Sequence, residues 1–88
     1  VSDVDLEETV ELAAHAYLNL RLHEERGLPY RDALSHYLRS RRKLYELLAE
    51  REDWSTERVT NEQNAQVARL LYGRAVGLLI EALREAGK

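Results

Sequence analysis

Apolar residues recur three and four positions apart along most of the chain, the period that places them on one face of an α-helix. Leu6, Val10, Ala13, Tyr17 and Leu20 form a first stripe. Tyr30, Leu34, Tyr37, Leu44, Tyr45 and Leu48 form a second, and Ala68, Leu71, Tyr72, Ala75, Leu79, Ala82 and Leu83 a third. The spacing predicts three amphipathic helices, over about 4–26, 30–52 and 60–86, with the three stripes as their common core.

The punctuation between the stripes agrees. Ser2, Asp3 or Asp5 can cap the first helix, and Glu7 and Glu8 fall near its first turn, where the helix dipole favours negative charge. The run RGLP at 26–29 predicts its end: Gly27 in the left-handed region, Leu28 folded back toward Leu22, and Pro29 barring continuation. The connector DWSTERV, 53–59, is polar around the single Trp54, and Thr60 with Gln63 makes a capping box for the third helix. Near-equal helices of roughly 35–40 Å with short joins predict an up-down-up three-helix bundle. No internal repeat or second domain is visible, so residues 1–88 are expected to form a single helical domain.

Composition narrows the class. Sixteen Leu and ten Ala stand against one Ile and no Phe, a helix-forming inventory poor in the residues strands favour. The chain is all-α. With no Cys it has no disulfide, thiolate metal site or thiol nucleophile. No apolar run approaches the ~20 residues of a membrane span. The acidic opening VSDVDLEETVEL is unlike a signal peptide, so a cytoplasmic location is expected, with no membrane partner.

Charge is uneven around a net −3. Residues 1–26 hold seven acids and two Arg, whereas the cations of the second helix crowd between Arg31 and Lys43. Arg39, Arg42 and Lys43 lie opposite the second stripe, as solvated charges usually do. They also form the surface on which nucleic acid would bind through its phosphates, the main alternative reading of this chain. The acidic first helix of a second subunit is an equally good partner for the patch. Arg41 differs from its neighbours because it falls within the apolar stripe, between Tyr37 and Leu44. Its stem is expected to cover the stripe while its head reaches water or a carboxylate; the functional reading gives it a partner subunit or a bound anion.

Little chemistry is written in motifs. Phosphate-loop, dinucleotide-binding and zincin signatures are absent, and no cofactor is expected. The Glu-x-x-His pairs of di-iron bundles are missing too. His15 and His23 stand two turns apart, so no metal is expected. RDALSH, 31–36, has the Arg-polar-x-x-x-His spacing that resembles the catalytic motif of HEPN ribonucleases, helical domains that often act as dimers. That resemblance, carried by six residues, implies phosphate contact by Arg31, acid–base transfer by His36, and Asp32 as the polar residue after the Arg. HEPN domains usually have more helices than the three expected here.

The third helix carries Gly73 and Gly77 on one face, roughly opposite its apolar stripe, beside Leu70. Each interior glycine costs about 1 kcal/mol relative to Ala, a cost that close helix packing, within the chain or across a dimer, would offset. Leu18 and Leu22 likewise lie off the first stripe. Leu18, Leu22, Leu70, Gly73 and Gly77 are therefore the expected interface. The chain is expected to act by protein–protein contact, as a homo-oligomer or the partner of a larger protein: an adaptor, an antitoxin-like regulator or a small subunit of an assembly.

Overall fold

A computed structural model describes residues 3–55 and 59–87. Ser2, one of the expected caps, and residues 56–58 of the connector lie outside that range. Three helices account for nearly all of it: α1 Asp3–Glu25, α2 Arg31–Glu52 and α3 Asn61–Ala86. Every boundary falls within one residue of the periodicity reading. Asp3 and Asp5 lie inside α1.

The helix ends explain themselves. After α1, Gly27 sits at φ 66°, its N–H bonds Glu24 O at 3.2 Å, and Leu28 N–H reaches back to His23 O at 3.0 Å. That pair of bonds is a Schellman motif built on the left-handed glycine. At the end of α2 the same conformation falls on a residue with a Cβ: Asp53, φ 56° and ψ 44°. Trp54 N–H then bonds Ala49 O at 2.8 Å. The capping box of α3 is formed, Thr60 Oγ1 accepting from Gln63 N–H at 3.2 Å and Gln63 Oε1 from Thr60 N–H at 3.0 Å.

α1 is the centre of the bundle. Its Ala13, Ala14 and Ala16 are buried almost completely, which keeps the helix slim enough to take a neighbour on each side. α2 runs antiparallel to it: Tyr17 faces Tyr37, and the opposite end of α1 shares a groove with Lys43 and Leu47. α3 runs parallel to α1, with Val10 near Leu70, Tyr17 near Tyr72 and Leu22 near Leu79. Both helices pack along α1, while α2 and α3 touch each other only sparsely. Leu44, Leu48, Val67 and Leu71 are the largest fully buried side chains. The buried Thr9 and Ser40 hydroxyls bond within their own helices, Thr9 to Asp5 O at 2.8 Å and Ser40 to His36 O at 2.9 Å.

This topology corrects the expected core. Tyr30, Tyr72, Leu79, Ala82 and Leu83 were placed in the stripes by period, and all five are exposed. The buried face of α3 is instead Val67, Leu71 and Ala75. A helix packed on one neighbour buries a narrower face than one wedged between two, so the outer part of the α3 stripe stays open. The radius of gyration, 14.2 Å, is correspondingly above the ~12 Å of a compact 88-residue domain. No helix among the described residues is long and apolar enough to cross a membrane.

Candidate functional site

The expected basic patch divides by side-chain environment. Arg39, Arg42 and Lys43 are exposed on α2. Arg42 Nε stands 3.4 Å from Glu46 Oε1. Lys43 borders a groove that it shares with Asp5 and Glu8 of α1, so the acidic first helix already faces part of the patch from within the same chain.

Arg41 turns the other way. Its guanidinium carbon lies 5.4 Å from the Tyr45 ring centroid, and Nη2 donates to the Tyr45 hydroxyl at 3.3 Å. Tyr45 in turn donates to Asn64 Oδ1, a direct tie between α2 and α3. Among the described residues no carboxylate pairs with Arg41. Burial pulls the guanidinium down, but the phenols of Tyr45, Tyr37 and Tyr72 outweigh it and hold Arg41 above its usual value. Where water or a carboxylate was expected, the head group meets a tyrosine face and a hydroxyl, a cation–π contact in half-buried surroundings.

Next to Arg41 three rings from three helices meet. Tyr17 of α1 lies 5.6 Å from Tyr37 of α2 and 4.9 Å from Tyr72 of α3, each pair tilted by 51°. Burial, then a hydrogen bond shared with Tyr72, pushes the Tyr37 phenol up to about 12. Tyr37 therefore stays protonated through neutral and moderately alkaline pH, and serves as a donor and a packing surface, not as a base.

Arg31, Asp32 and His36 are all exposed on the first turns of α2. Arg31 lines an open groove with Gly27, Pro29 and Leu34, and His36 is not part of it. Five residues along a helix turn the two side chains ~140° apart, so α2 alone does not bring them to one point. Among the described residues no three His, Asp or Glu converge as metal ligands would.

The glycine face is open. A Cβ built at Gly73 meets nothing within 4 Å, and one at Gly77 meets only Arg74 Nη1 at 3.7 Å, so neither glycine serves close packing inside the chain. Leu70 borders a groove with Leu6, Val10 and Glu11 of α1. There Arg74 bridges Glu11 and Glu81, at 3.3 Å each. Glu11, with Glu81 behind it, holds the Arg74 guanidinium above its ordinary range. Leu18 and Leu22 line a separate open groove with Tyr17, Arg21, Glu25 and Leu79, about 380 Å³ in volume.

What period alone missed is the surface beside these positions. Tyr72, Val76, Leu79 and Leu83 are 42%, 56%, 51% and 65% exposed, with Ile80 flanking them. Their spacing is four, three, four, the alternation of a coiled-coil seam. Val76 was the available signal: it breaks the assigned core stripe yet completes this one. No family model, curated protein or solved structure gives a significant match to the chain.

Proposed function

We propose that this chain is a small helical interaction module, and that its contact surface is the uncovered half of α3 together with Leu18 and Leu22 of α1. The observation that carries the reading is the seam of Tyr72, Val76, Leu79 and Leu83, four large apolar side chains exposed in one continuous row. Exposed apolar residues scattered singly are ordinary, but a contiguous row marks a surface that another protein covers. Fully burying an exposed side chain of this kind is worth about 1.5–3 kcal/mol, and these four, roughly half exposed, have about half of that each still to gain. The seam's 4-3-4 spacing suits a partner helix laid along α3.

The basic patch gives nucleic acid less support, because Arg42 faces Glu46 and Lys43 borders Asp5 and Glu8. A photo-crosslinking residue in place of Val76 tests the interaction reading in producing cells, with the same residue at exposed Glu50 as control. Crosslinks to a polypeptide from position 76 and none from position 50 are expected. A silent position 76 overturns the reading.

A further inference from the structure

We propose that Arg41 anchors a binding site for the carboxylate of a small organic acid, in the cleft between α2 and α3. The site does not depend on a partner chain. The two helices run antiparallel, Tyr45 meeting Asn64 at one level and Tyr37 meeting Tyr72 two turns away. Arg41 lies midway, one turn from each tyrosine of α2, and the residue midway on α3 is Ala68. An alanine at that level leaves room opposite the guanidinium, between helices that touch only sparsely.

The surroundings supply donors. Nη2 of Arg41 donates to the Tyr45 hydroxyl, and among the described residues the rest of its N–H fork has no protein partner. That hydroxyl, already accepting, gives its own hydrogen to Asn64 Oδ1, which leaves Asn64 Nδ2 as a further donor. Tyr37 shares a hydrogen bond with the hydroxyl of Tyr72, whose ring is exposed.

The counter-charge has to come from outside. No acid lies in 12–23 of α1, 33–45 of α2 or 63–80 of α3, so all sixteen acids of the chain fall outside these stretches. Because α2 runs against the other two helices, the three stretches overlap at one level and the helical acids gather toward the two ends of the bundle. Arg41 is a half-buried cation within that acid-free section, a setting that disfavours an unpaired charge. A leucine or methionine in its place would complete the apolar stripe without that cost.

Shape and charge select the anion. A carboxylate meets the planar guanidinium fork with two parallel hydrogen bonds. One cation among neutral hydroxyl and amide donors balances a single negative charge. Arg39, Arg42 and Lys43 are exposed on the outer face of α2, so a phosphate dianion would keep one charge uncompensated. The tyrosine rings beside Arg41 offer an apolar wall to the remainder of the acid.

Benzoate is the probe, and benzamide, the same shape without the charge, is its control. The Nε–H resonance of Arg41, identified by its loss in Arg41→Lys, is followed in the whole isotope-labelled chain at constant ionic strength. Benzoate is expected to shift it saturably at millimolar concentration, whereas benzamide and inorganic phosphate leave it in place. Arg41→Met keeps an apolar stem in the stripe and is expected to weaken benzoate binding about tenfold or more, read from the ring resonances of Tyr45 and Tyr72. An Arg41 resonance that benzoate leaves unmoved overturns the site, as does benzoate bound equally well by Arg41→Met with its helical circular dichroism retained. Benzamide or phosphate bound as tightly as benzoate overturns the carboxylate as the ligand. The titration on the native chain decides even where a variant fails to fold.

Discussion

The ring of Tyr72 on α3 lies 4.9 Å from that of Tyr17 on α1, one turn before Ala75, the last fully buried side chain of α3. On the N-terminal side of Tyr72, α3 meets α2 through Asn64 and Tyr45. On its C-terminal side, Val76, Leu79, Ile80 and Leu83 are exposed.

The core and the open seam should respond oppositely to truncation. Leu44 is completely buried, so Leu44→Ala should cost about 2–5 kcal/mol, a large part of the stability of so small a domain. Leu83→Ala should change the stability of the dilute chain by about 0.5 kcal/mol or less, because that side chain is already in water. Urea unfolding at low protein concentration checks both. Equal costs would mean that the seam is covered by its own chain.

Tyr37 makes stability fall at high pH. Its phenol titrates near 10.0 when unfolded and at about 12 when folded, so between those values the folded state holds a proton that the unfolded state releases. Stability should therefore be full below about pH 10 and decline by on the order of 2 kcal/mol as pH rises toward 12. Tyr37→Phe should lower the plateau and flatten this decline. Denaturation at stepped alkaline pH measures it, and an unchanged alkaline slope in the variant would reject the assignment.

Arg41 and Tyr45 should be energetically coupled. A double-mutant cycle of Arg41→Met and Tyr45→Leu is expected to return about 0.5–1 kcal/mol for the contact between guanidinium and ring. A coupling of zero would make Arg41 a solvated stem with no partner.

The end of α2 can be improved. Asp53 holds a left-handed conformation that glycine adopts without steric penalty, so Asp53→Gly should raise the thermal midpoint by a few degrees, corresponding to about 0.5–1 kcal/mol. At the start of α3, Thr60→Ala removes one half of the capping box and should cost about 1 kcal/mol. Thermal melts of the two variants should move in opposite directions.

Helix number, helix ends and the capping box were legible in the sequence because they depend on residues close together in the chain. Gly27 and Thr60 announce themselves by local chemistry. The α1 stripe was legible in part: Val10, Ala13 and Leu20 are buried, but so are Thr9, Ala14 and Ala16 outside it, because α1 is flanked on both sides and buries a broader face than one stripe. α3 was misread for the converse reason. Whether Leu79 is core or surface depends on where α2 lies, and no local pattern in α3 encodes that distance. Arg41 shows a third situation: its place in the stripe was clear, but its partner, a tyrosine one turn along the same helix, was not among the expected ones, water or a carboxylate.

The central position of α1 also bears on the order in which the structure comes apart. α1 and α2 are joined by a tight turn and share the longer packing surface, whereas α3 is held chiefly by α1 alone. Undocking α3 breaks one interface and leaves a helical hairpin behind. The backbone amides of α3 should therefore exchange with solvent deuterium faster than those around Leu44 and Leu48, through an opening that does not require the whole chain to unfold.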